Sequence, residues 1–163
     1  MLKKSIAVLV LIAALATSAL YLFGSISSTA YSETIYAENG IALRGYDPVA
    51  YFTDKSPTKG SAEHSLEWRG ATWHFASAEN RDKFDEDPEK YTPQYGGYCA
   101  WAVAVKGQAY AIDPTAWRVV NDKLYLNFSH DIQSKWEKDI PGFIADGDKK
   151  WPELKKDLAL RGS

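Results

Sequence analysis

Thiols and imidazoles can hold transition metals or act as nucleophiles near neutral pH, and this 163-residue chain has four such side chains: Cys99, His64, His74 and His130. A Cys-His pair can hold copper or zinc if a further donor joins it, here Asp47 or a tyrosine. His130, at the expected start of a helix, would be kept neutral by the helix dipole and so be able to coordinate. The metal pair expected from the sequence is Cys99 with His64. Each residue also has a purely structural reading: Cys99 as a small buried hydrophobe, His64 as a core histidine bonded to backbone, His74 on a hairpin surface, and His130 at the first position of a helix. Tyr95, Tyr98 and Trp101 surround Gly96-Gly97 and flank Cys99, which marks this cluster as the place to look for a pocket.

Other chemistries have less support. Cys99 is the single cysteine, so no intramolecular disulfide can form, and Met1 is the single methionine, so one chain cannot build a soft site from several sulfur ligands. A Cys-His nucleophile lacks the flanking sequence of papain-like enzymes, and no phosphate loop, Rossmann glycine pattern, CxxC or CxxCH occurs. The acidic run Asp85-Glu86-Asp87 falls where a helix ends in solvent. These observations point to a non-enzymatic protein.

The elements that must position these residues follow from patterning. Glu63 to Trp68 and Ala71 to Ala76 flank Arg69-Gly70, which predicts a hairpin with a two-residue turn. Period-2 alternation puts Leu66 opposite Trp73 and His64 opposite Phe75, all facing the core, with His74 on the other face. Ser77 is placed to cap a helix from Ala78 to about Asp87, from which Arg81 and Phe84 face the hairpin. GYDPVAYF reads as a turn at Asp47-Pro48 leading into a short strand ending at Phe52. Residues 98–106 admit either helix or strand, with helix favoured by alanine content and by Gly107. A second hairpin, Trp117–Val120 and Leu124–Phe128 around Asn121-Asp122, precedes Ser129 as a cap and a helix from His130 to about Asp139. Shifted by 52 residues, Ser77 meets Ser129 and Phe84 meets Trp136. The expectation is an α+β fold, two hairpin-plus-helix units in one small domain, with a further helix over Pro141–Lys149 and another after Pro152. Six Trp, ten Tyr and six Phe are explained first by packing at the inward positions of these units.

The blocks GYDPVAYF and GATWHFASAENRDKFDEDPEKY, Gly45 to Tyr91, resemble the YHS domain, a small module associated with copper ATPases and with metal binding. His64 matches the family histidine and Ser77 the serine of its FCS element. Three positions depart from the pattern. DPVC of many YHS domains is here Asp47-Pro48-Val49-Ala50, FCS is Phe75-Ala76-Ser77, and a second cysteine is Asn80. GGYCAWAV and DPTAWRVVNDKLYLNF look like the C-terminal half of exported bacterial YHS domain-containing proteins, a resemblance that implies no activity. Two functions are therefore expected of the chain: a module binding copper, zinc or a small ligand near Cys99 and His64, or a structural or protein-interaction module that has lost its metal site.

The N-terminal segment sets the compartment. Lys3 and Lys4 precede an uncharged apolar run and the small residues Ser28-Thr29-Ala30, the order of an export signal over residues 1–30, while residues 5–24 are also long enough to anchor the chain in a bilayer. Both readings put a single domain, residues 31–163, in a periplasm or outside the cell, in the second case held at the inner membrane. Removing residues 1–30 takes two of 19 basic residues and no acid, leaving 17 against 21, a net charge of −4. With no basic cluster beyond Lys149-Lys150 and Lys155-Lys156, nucleic acid is not expected as a partner.

Overall fold

The computed structural model describes residues 34–161; the export or anchor segment expected at residues 1–30 lies outside the described residues. Among the described residues no helix is long and apolar enough to cross a membrane.

The fold is the expected α+β arrangement of two hairpin-plus-helix units with a C-terminal helix. In the first unit, β3 (Ser61–Trp68) pairs antiparallel with β4 (Ala71–Phe75), and Trp68 lies opposite Ala71 and Leu66 opposite Trp73. Arg69 and Gly70 both take positive φ, 48° and 73°, the geometry that matches a two-residue turn to the twist of its strands. Beyond Ser65 the predicted register fails. An irregularity between Ser61 and Ser65 brings Ser61, not His64, opposite Phe75. His64 is half-buried like Leu66 and Trp68, in step with their alternation, but it does not lie opposite Phe75 as expected.

Two short strands absent from the sequence reading extend this sheet. β1 (Ala37–Glu38) and β2 (Ile41–Ala42) form a small antiparallel pair, and β2 runs parallel to β4, giving the order β1-β2-β4-β3. The strand expected at the end of GYDPVAYF is instead a helical turn, α1 (Ala50–Thr53). The reason is local: the Asp47 carboxylate accepts from the backbone N–H of Val49 and Ala50, which closes the chain into a helical start before Tyr51 can extend.

Ser77 caps α2 (Ala78–Glu86) by accepting from Asn80 N at 3.1 Å, and Asp87 then caps a separate turn, α3 (Pro88–Tyr91). Phe84 is fully buried against Trp68, Trp73 and Phe75. Arg81 is half-buried and pairs with Asp82. Residues 100–106 form helix α4 (Ala100–Lys106), ended by Gly107 in the left-handed region at φ 62°. The second unit pairs β5 (Asp113–Val120) with β6 (Lys123–Asn127) through Asn121 and Asp122, both at positive φ, and Ser129 caps α5 (His130–Trp136).

The last helix, α6 (Ile140–Arg161), is continuous through Pro152, where two helices were expected. Proline inside a helix forfeits one backbone hydrogen bond at a cost of roughly 3 kcal/mol. Continuity follows from what lies on both sides of it: Ile140, Phe143 and Ile144 before Pro152, and Trp151 and Leu154 around it, all pack on the same cluster of Tyr95, Val103, Tyr125 and Trp136.

That packing buries ionisable hydroxyls and a thiol. Burial raises the pKa of Tyr51, Tyr95 and Cys99, with Asp148 adding to the effect at Tyr95, and pushes Tyr125 up to about 12. The unfolded chain releases these protons near the ordinary values of 9.0 for cysteine and 10.0 for tyrosine, while the folded chain still holds them. Their contribution is therefore complete below about pH 9 and is lost as pH rises above it. Urea midpoints measured from about pH 8 to about pH 11 should hold up to about pH 9 and fall beyond it; a flat profile over the whole interval would show these groups are not held protonated by the fold.

Candidate functional site

Asp47 is fully buried, and its two carboxylate oxygens accept four hydrogen bonds. Oδ1 takes Val49 N at 2.8 Å and Ala50 N at 3.3 Å, at the start of α1. Oδ2 takes Ala76 N at 2.8 Å and the Asn80 side-chain amide at 2.7 Å, at the strand-to-helix junction of the first unit. Hydrogen bonds to a carboxylate are short and about twice as strong as neutral ones, and a buried carboxylate needs such partners. Three of the four donors belong to Ala50, Ala76 and Asn80, the residues standing where the YHS pattern carries cysteine. The fold thus brings all three positions to one carboxylate.

This centre does not suit a soft metal. It contributes no sulfur, Asn80 turns its amide N–H₂ inward as a donor, and both carboxylate oxygens are engaged by donors. Among the described residues no three His, Cys, Asp or Glu side chains gather into a group that could hold a metal ion.

Cys99 lies about 1 % exposed in the main core cluster, with its Sγ 3.8 Å from Asn127 Oδ1. Asn127, itself fully buried on β6, also accepts from Trp101 N at 3.3 Å and so supplies the cap that Cys99 does not give to α4. Its Nδ2 has no hydrogen-bond partner among the described residues. Burial raises the thiol pKa, outweighing the backbone groups around it, which holds Cys99 as an inert thiol near neutral pH. His64, half-buried on β3, is not among the Cys99 hydrogen-bond partners. His74 pairs with Ser65 on the same sheet and lines a shallow polar hollow with Glu38, Arg44 and Lys59. His130 begins α5 and its Nε2 lies 3.1 Å from Thr115 Oγ1.

The aromatic cluster near Gly96-Gly97 divides. Tyr95 and Gly96 line a cavity of about 220 Å³ with Trp151, Arg69 and Glu89. The Tyr95 hydroxyl is 3.2 Å from Ile144 O and 3.0 Å from Asp148, which fastens α6 to the body. Tyr98 packs against Tyr36 and Trp151, and neither Tyr98 nor Trp101 lines that cavity. A larger cavity, about 470 Å³ and bounded by Tyr51 and Trp117, had no signal in the sequence reading, because its walls come from segments more than 60 residues apart.

Residues 49–95 match the family model of the YHS domain. The chain carries a YHS domain. The match begins just after Asp47-Pro48 and runs through both hairpin strands, α2, α3 and Tyr95; the second hairpin unit and α6 lie beyond it. No curated protein and no solved structure matches the chain.

The role of Asp47 as the tie between α1 and the YHS hairpin is open to measurement. Asp47→Ala strands three backbone N–H groups and one amide, and should lower the unfolding free energy in urea by about 3 kcal/mol or more. Asn80→Ala, which leaves the carboxylate its three backbone donors, should cost about 1–2 kcal/mol. Losses below about 0.5 kcal/mol in both would show that the centre does not hold the fold.

Proposed function

We propose that this chain is a non-catalytic YHS module, working outside the cytoplasm, in which Ala50, Ala76 and Asn80 stand at the family's cysteine positions around a retained, hydrogen-bonded Asp47 and what remains is a binding scaffold. The observation that carries this reading is the convergence of Ala50, Ala76 and Asn80 on the Asp47 carboxylate. YHS domains are linked to metal handling, and here the three positions offer no sulfur: Ala50 and Ala76 meet Asp47 through backbone N–H groups alone, and the Asn80 side-chain amide is committed to the same carboxylate. The export signal or anchor in residues 1–30 supports the location.

The competing reading, copper or zinc at Cys99 and His64, requires a third ligand beside a thiol that burial keeps protonated. The described residues supply no such three-donor group. Titration of the protein with Cu(I) and Zn(II) separates the two. Under the proposed reading Cys99→Ala and His64→Ala bind either ion no differently from the parent. Stoichiometric binding that is lost in both variants would establish the metal site and end the proposal.

A further inference from the structure

The cleft between the two hairpin units has a composition distinct from the Asp47 centre. One wall is α1, with Tyr51 and Phe52, and the other is β5, with Trp117 and Val119. Its volume of about 470 Å³ falls in the range of small-molecule sites, about 300–1,000 Å³. The two walls meet at Tyr51, which is about 1 % exposed and forms the floor of the cleft. Tyr51 meets Trp117 edge-on with centroids 5.2 Å apart, and Phe52 meets Tyr91 edge-on at 5.5 Å. A rigid aromatic wall favours a flat apolar body, since offset and edge-on ring contacts add to simple burial.

Two polar groups of these walls are already committed. The Tyr51 hydroxyl donates to Pro114 O at 2.8 Å, and the Trp117 carbonyl accepts from Gln133 Nε2 at 2.7 Å. A ligand with a hydrogen-bonding edge, such as a nucleobase, would leave that edge unpaired at these two residues, so the buried part of the occupant is hydrocarbon. The rim is different. Lys55 and Lys90 border the cleft, both are exposed, and neither is in an ion pair among the described residues. Lys90 Nζ sits 5.0 Å from the Tyr91 ring, over the same aromatic wall. Arg118 also lines the cleft but is engaged by Glu137 at 3.2 Å, and Asp122 is the one carboxylate among the lining residues. The balance of the rim is cationic in a chain whose net charge is −2.

We propose that this cleft binds a small aromatic carboxylate, with the ring system against Phe52, Trp117 and Val119 above the Tyr51 floor and the carboxylate between Lys55 and Lys90. Exposed ion pairs contribute little alone, so affinity comes from burying the ring and the lysines select for the anion. The assignment is independent of whether any metal binds the chain, and its test involves no metal.

Titration of the full-length, ¹⁵N-labelled protein with 2-naphthoate decides it, with the Trp117 indole N–H assigned from Trp117→Phe. Saturable shifts of that resonance are expected, together with at least about tenfold weaker binding of 2-naphthylmethanol, which lacks the charge, and of octanoate, which lacks the ring. The double variant Lys55→Glu/Lys90→Glu changes only exposed positions and should keep the parent spectrum elsewhere while binding naphthoate at least about tenfold more weakly. A Trp117 resonance that does not move, a double variant that binds as tightly as the parent, or equal binding of the alcohol or of octanoate would each overturn the proposal.

Discussion

A buried carboxylate must be surrounded by donors or it unfolds the region around it, and this constraint organises the N-terminal half of the chain. Asp47 lies in the segment before the YHS hairpin, yet two of its four donors come from beyond it, Ala76 and Asn80, 29 and 33 residues away in sequence. Satisfying the charge therefore fixes where the strand β4 ends, where α2 begins and how α1 sits against both. The aromatic cluster of Trp68, Trp73, Phe75 and Phe84 fills the space that this tie encloses. Packing supplies most of the energy, but it is non-directional; the carboxylate supplies the register.

The same centre bears on function. The peptide N–H groups of Val49, Ala50 and Ala76 serve the carboxylate whatever side chains those residues carry, and among the three family cysteine positions only Asn80 adds a side-chain donor of its own. The replacement is internally consistent: the substituted side chains leave no buried group at this carboxylate unsatisfied. What the chain offers to other molecules has to be sought elsewhere on its surface, and the cleft between the units is where aromatic surface and unpaired cations coincide.

Local signals in the sequence were read correctly where the physics is local. The Arg69-Gly70 and Asn121-Asp122 turns, the serine caps Ser77 and Ser129, and the helix ending at Gly107 each depend on a few neighbouring residues. Errors arose where a distant partner decided the outcome. GYDPVAYF reads as a turn leading into a short strand, but Asp47 turns it helical while also reaching Ala76. Pro152 marks a helix end in isolation, but the apolar residues on either side of it share one docking surface. His64 keeps the alternation of Leu66 and Trp68, but an irregularity in the strand removes the pairing with Phe75 expected of it. The chemistry-bearing residues were the least legible, because Cys99 and the histidines are placed by three different contexts: Cys99 at the head of α4, His64 and His74 on one hairpin, and His130 at the head of α5.

The internal repeat, weak in sequence, becomes a physical correspondence at the two strand-to-helix junctions. Shifting by 52 residues carries Phe75-Ala76-Ser77 onto Asn127-Phe128-Ser129. In both units the serine caps the following helix, accepting from Asn80 N in one and Ile132 N in the other. In both, a buried polar group joins that junction to a helix start elsewhere in the chain: Asp47 ties the first junction to α1, and Asn127 ties the second to α4 through Trp101 N. The acceptor comes from the preceding segment in the first unit and from the junction itself in the second. Each tie spans more than 25 residues, so neither hairpin unit is completed by its own sequence alone. The aromatic cleft forms where α1, fixed by the first tie, meets β5, whose partner strand β6 carries the second. Its two walls are joined directly by Tyr51, whose ring meets Trp117 and whose hydroxyl donates to Pro114 O, while the two buried polar ties hold the elements behind them.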